Sequence, residues 1–185
     1  VSQQLESSLL QKLEFWRSQE IFTLSVIEVG SISLDINDSG NLTKIRLEKT
    51  GDAWKLEAPI KAPADTALVN ERINVLQGVK ALRFLRGKEG QEAREALLKP
   101  FIRITLHGAT QGQTLELAEP LEEAKPFLYA KFDAYPTTYF IVSDEPFANL
   151  RRAQTYFRQK QFLDFAAKHI SGIRIRDADH QVSLQ

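Results

Sequence analysis

Residues 31–56 read SISLDINDSGNLTKIRLEKTGDAWKL, and this stretch decides the fold. Ile32, Leu34 and Ile36 alternate with serine and aspartate, the period-two pattern of a half-buried strand. Asn37-Asp38-Ser39-Gly40-Asn41 is built from residues that tolerate positive φ, so the chain reverses there. Ile45 and Leu47 alternate on the return, Thr50-Gly51-Asp52 turns again, and Trp54-x-Leu56 makes a third strand. The reading is a three-strand meander.

Towards the N-terminus the period changes. Leu5, Leu9, Leu13 and Trp16 fall at spacings of four, four and three, one apolar stripe of a helix. On the other side Pro59 and Pro63 end the meander, and Asp65 stands as an N-cap. The helix it starts is expected to carry Val69, Ile73, Leu76, Val79 and Leu82 and to break at Gly87–Gly90. A short helical piece through Ala96-Leu97-Leu98 precedes Pro100. A second β region follows, with Ile102-x-Ile104-x-Leu106, Leu115-x-Leu117, Leu128-x-Ala130-x-Phe132 and Thr138-x-Phe140-x-Val142. Phe147, Leu150, Ala153 and Phe157 mark another amphipathic helix, and Ile173/Ile175 and Val182/Leu184 a closing hairpin.

Strands grouped in hairpins between helices predict an α+β fold, with antiparallel sheets of hairpins and meanders packed against three main helices. The arrangement also reads as repeat-like. Phe15-Trp16-Arg17 is echoed by Tyr156-Phe157-Arg158, and Ile32-x-Leu34 by Ile173-x-Ile175, both 141 positions on. On that basis residues 1–155 form one complete α+β unit. Residues 156–185 are the start of a second unit or a closing hairpin of the same domain.

Bulk chemistry narrows the functions. Lys+Arg and Asp+Glu both total 24 in 185 residues. A general nucleic-acid binder draws its affinity from a basic excess, so DNA and RNA are not expected partners. Cysteine is absent, which removes thiolate nucleophiles, disulfides, iron–sulfur clusters and thiolate zinc sites. Methionine is absent too, even at position 1, so the chain reads as a processed form or a fragment. No run approaches the ~18–20 apolar residues of a membrane helix, and any anchor is expected outside this chain.

Motifs for catalysis or metal binding do not assemble in the sequence. His107, His169 and His180 lie apart, outside any zinc-ligand spacing, and no GxSxG elbow is present. Asp35-x-Asn37-x-Ser39-Gly40 imitates half of a calcium loop, but Arg46 stands where a bidentate glutamate is needed. Asp177-x-Asp179-His180 is a turn, Arg86–Gly90 lacks the order of a phosphate loop, and Glu122-Glu123 and Asp144-Glu145 sit in loops or a first helical turn. No enzyme, cofactor or metal is expected. The densest chemical signal is the aromatic run from Phe127 to Phe140. In strands, half of those side chains face away from one core. Trp54, Tyr129, Tyr135 and Tyr139 are the candidate interaction surface.

Several of these segments together resemble a bacterial envelope family, domain-of-unknown-function family 4340. They are Arg17-x-x-x-Ile21-Phe22, Gly51-Asp52-x-Trp54-x-Leu56-x-x-Pro59 and Ala64-Asp65-x-x-x-Val69-Asn70. Tyr129-Ala130-Lys131, Pro136-Thr137-Thr138-Tyr139-Phe140-Ile141-Val142 and Arg158-x-x-x-Phe162-Leu163-Asp164-Phe165 complete the set. The resemblance implies a membrane-anchored protein with extracytoplasmic repeats, accessory to ABC-type transport systems of the gliding-motility kind. The expected function is therefore a non-catalytic extracytoplasmic interaction or scaffold module with a protein partner in the cell envelope. It would show an exposed apolar patch and an open sheet edge where a following unit joins. The alternative is a small-molecule or glycan-binding domain that uses the four aromatics as a stacking surface.

Overall fold

The computed structural model describes residues 19–38, 40–120, 126–160, 172–176 and 181–184. The expected N-terminal helix through Leu5–Trp16 lies outside them.

The meander forms as read: β1 (Ser31–Asp38), β2 (Asn41–Thr50) and β3 (Ala53–Ala58) pair in sequence. Its first turn is fixed by Asn37, whose Oδ1 accepts from the Gly40 amide at 3.1 Å, and Gly40 holds φ 92°. A two-residue strand, β4 (Ala62–Pro63), adds to β3. Asp65 then caps α1 (Thr66–Gln77), its Oδ1 accepting from the Leu68 amide at 3.0 Å.

Here the structure departs from the periodicity. The helix was expected to reach Leu82 but stops at Gln77, with Gly78 at its C-cap. Val79 and Ala81 are buried in non-helical chain, and Leu82 is exposed while its amide donates to the Ile141 carbonyl at 2.9 Å. That bond leads into β5 (Arg83–Leu85), a strand too short to show alternation. Gly87, expected to break a helix, instead opens α2 (Gly87–Ala96) from φ 55°. The helical piece expected around Ala96–Leu98 is thus the end of this longer element.

Strands β6 (Ile102–His107), β7 (Gly112–Ala118), β8 (Phe127–Phe132) and β9 (Tyr139–Ser143) follow. The Phe147–Phe157 stripe is not one α-helix. It is a 3-10 segment (Glu145–Arg152) running into a short α3 (Ala153–Phe157). The proposed unit boundary between residues 155 and 156 therefore cuts through α3.

Among the described residues nine strands make one antiparallel sheet in the order β4-β3-β2-β1-β6-β7-β8-β9-β5. Both outer strands are short, and β4 ends in Pro63. The central pair sets Leu34 opposite Ile104. Around it the two leading hairpins share a register: Ile32, Leu34, Ile36, Ile45 and Leu47 correspond to Ile102, Ile104, Leu106, Leu115 and Leu117, each 70 positions on. All ten are buried on one face of the sheet. That face carries the main core, closed by Val69, Ile73 and Leu76 of α1 and by Phe147, Leu150 and Phe157.

The opposite face holds a smaller cluster, in which Ala93 and Leu97 cover Leu85, Ala118, Tyr129 and Ile141. Beside it the face is polar. Apart from this sheet, β10 (Ile173–Arg176) and β11 (Gln181–Leu184) pair with each other.

Candidate functional site

The β8–β9 connection turns tightly: the Tyr135 amide donates to the Phe132 carbonyl at 3.0 Å and the Thr138 amide to the Tyr135 carbonyl at 2.9 Å. Strand parity sends Phe132 and Phe140 to the main-core face at this end of the sheet. Phe84 of β5 lies opposite Phe140 in register, with ring centroids 6.0 Å apart. The incoming segment closes the remaining side. The backbones of Glu20 and Lys80 form an isolated antiparallel bridge, the Ala81 amide donates to the Gln19 carbonyl at 3.0 Å, and Phe22 meets Phe132 edge-on at 5.9 Å.

These segments enclose a cleft of about 230 Å³. Ile21, Ala81, Phe84, Phe132 and Phe140 wall it, and Gln19, Glu20, Tyr135 and Thr138 bring polar groups. Tyr135 is 56% exposed, its ring 6.5 Å from that of Phe132. Cavity size decides what fits: sites for drug-sized ligands span about 300–1,000 Å³, while about 150 Å³ suffices for benzene. A cleft of this size has room for one ring-bearing group.

Of the four aromatics singled out in the sequence, only Tyr135 lines the cleft. Trp54 is 1% exposed in the core, where its Nε1 donates to Asn70 Oδ1 at 2.9 Å. Tyr129 is buried in the smaller cluster on the opposite face, and half-buried Tyr139 packs against that cluster. The four do not form one surface. Tyr129, Lys131, Tyr139 and Ile141 do share a face, as their alternation implied, but α2 packs on its apolar part. Phe84, Phe132 and Phe140 were missed. Parity in the Phe127–Phe140 run separates Phe132 and Phe140 from Tyr129 and Tyr139, but no local pattern brings Phe84 or Ile21 alongside.

On the polar face a charged row crosses four strands. Arg103 lies 3.8 Å from Asp35 and 2.7 Å from Glu116, which Lys131 Nζ meets at 2.5 Å. Burial pushes the Glu116 carboxyl up, but hydrogen bonds and charge from Lys131 and Arg103 outweigh it and hold the group below its usual range. Glu28 is likewise lowered, by the Ser25 hydroxyl and amide. On the same face Ser33 Oγ and His107 Nε2 are 3.2 Å apart. The pair sits on the adjacent strands β1 and β6, one step apart in register.

Among the described residues no group of three or more His, Asp or Glu side chains is placed to hold a metal ion. His169, His180, Asp177, Asp179 and the Glu122-Glu123 pair lie outside the described residues. The half calcium loop is a turn bound by Asn37, and Arg86–Gly90 is the entrance to α2. No described helix is long and apolar enough to cross a membrane. Compared with known family models, curated proteins and solved structures, the chain matches none.

Proposed function

We propose that this chain is a non-catalytic interaction module whose cleft receives an aromatic side chain of a protein partner. The observation that carries the reading is the 230 Å³ cleft itself, walled by Phe84, Phe132 and Phe140 and open beside Tyr135. Apolar walls with one carboxylate, Glu20, among the lining residues suit desolvation of a ring, which contributes affinity without chemistry. An extracytoplasmic setting, a membrane anchor outside this chain and a role beside an ABC-type transporter complete the proposal. Those three parts are supported by the envelope-family resemblance. A repeat-like organisation is supported by the shared register of the two leading hairpins.

The test is a heteronuclear NMR titration with N-acetyltryptophanamide and, separately, maltose. The indole probe should shift amides at Ala81, Phe84, Tyr135 and Phe140, and maltose should leave them unchanged. Shifts with maltose alone would favour the glycan-binding alternative. No shifts with either would remove the cleft as a binding site.

A further inference from the structure

Residues 19–30 form a strap with no helix or named strand of its own, running past the end of the sheet where the β6–β7 and β8–β9 turns lie. Ile21, Phe22, Leu24 and Val29 are buried in the main core, while Thr23 between them is exposed. Irregular chain must find partners for its backbone groups outside a ladder, and here two glutamine side chains supply them. Gln113, the second residue of β7, accepts with Oε1 from the Thr23 amide at 2.9 Å and the Leu24 amide at 3.3 Å. Its Nε2 donates to Thr23 Oγ1 at 2.6 Å. Gln77, the last residue of α1, donates from Nε2 to the Leu24 carbonyl.

The same strap walls the aromatic cleft. Gln19, Glu20 and Ile21 line it, and Phe22 abuts Phe132, another of its walls. Gln113 does not line the cleft; it holds the chain one and two residues beyond Phe22. We infer that Gln113 is a positioning residue of the cleft, fixing the strap from β7 and through it the wall made by Gln19, Glu20 and Ile21. Gln113 has this role only if the cleft binds as proposed above. A ring seated between the strap and Phe84 needs the strap in place, so loosening the strap costs affinity, and a bound ring in turn tightens the strap. The Ala81 amide reports the state of that wall, because it donates to the Gln19 carbonyl. The next amide, Leu82, donates to Ile141 of β9 and does not involve the strap.

The experiment measures N-acetyltryptophanamide affinity by NMR titration and amide hydrogen exchange on the same samples of the whole chain. Gln113→Met keeps the length of the side chain and removes all three bonds. It should weaken binding about threefold to tenfold, the scale of one net hydrogen bond. Exchange at Ala81 should quicken while exchange at Leu82 stays as it was. Gln113→Glu keeps the acceptor for both amides and can take the Thr23 hydroxyl as a donor, so it should restore most of the affinity. Thr23→Val removes only the exposed hydroxyl contact and should weaken binding about twofold. In the unaltered protein, the bound indole should slow exchange at Ala81. If Gln113→Met binds as tightly as the unaltered protein, or if Leu82 exchange quickens as much as Ala81 exchange, the positioning role is overturned and the cleft reading stands. If the unaltered protein binds no indole, both fall.

Discussion

Arg103 and Glu116 face each other across β6 and β7, with Nη2 2.7 Å and Nε 2.9 Å from the same carboxylate oxygen. The other oxygen is taken by Lys131, so one carboxylate joins three strands. Glu116 is 13% exposed, but Arg103 is 45% exposed, which limits the worth of the pair.

Glu116→Gln should lower unfolding free energy by about 1 kcal/mol at pH 7 and low salt. The folded-state pKa lies below the usual 4.5, so this contribution is present above pH 4.5 and lost as pH falls through the folded value. Urea titrations at pH 7 and pH 3 check it: the gap between the two proteins should narrow at the lower pH. A gap unchanged by pH would show that the carboxylate charge is not what matters.

Tyr156→Phe should destabilise by about 2 kcal/mol, because the Arg72 guanidinium is buried and relies on neutral acceptors. Its Nη2 donates to the Tyr156 hydroxyl at 2.6 Å and its Nη1 to the Pro146 carbonyl at 3.0 Å. In a double-mutant cycle, Arg72→Met with Tyr156→Phe should lose less than the two single losses combined.

Asn70→Ala should cost about 1–3 kcal/mol by stranding the buried Trp54 indole N–H. Trp54→Phe in the Asn70→Ala background should lose less than in the parent, since the orphaned donor goes with the ring. Equilibrium unfolding followed by circular dichroism reads both.

Tyr135→Ala should change stability by no more than about 0.5 kcal/mol, because the ring is largely exposed. It should nevertheless weaken N-acetyltryptophanamide binding. Phe140→Ala, by contrast, should cost about 3–5 kcal/mol as a core truncation. Calorimetric unfolding and NMR titration of the same samples separate the two effects.

The meander was legible because Ile32, Leu34, Ile36, Ile45 and Leu47 alternate without interruption and the turn between them carries its own chemistry. Asp65 announced α1 for the same local reason. The end of α1 was not legible. Val79 is buried and keeps helical spacing with Ile73 and Leu76 while sitting in non-helical chain, so period alone continued the helix past Gly78. The cleft was hidden more deeply: Ile21, Phe84 and Phe140 meet only because β5 adds to β9 and the segment at Gln19 and Glu20 pairs with Lys80 and Ala81. A buried tryptophan and an exposed tyrosine look alike in sequence. Trp54 reads as a surface candidate until Asn70 is seen to satisfy its nitrogen.

The brevity of β4 and β5 sets how this molecule behaves in company. A ribbon nine strands wide would ordinarily template fibre growth from its flanks, yet one flank stops at a proline and the other after three residues. Among the described residues, then, the large sheet offers a crowded neighbour only these short flanks for lateral stacking.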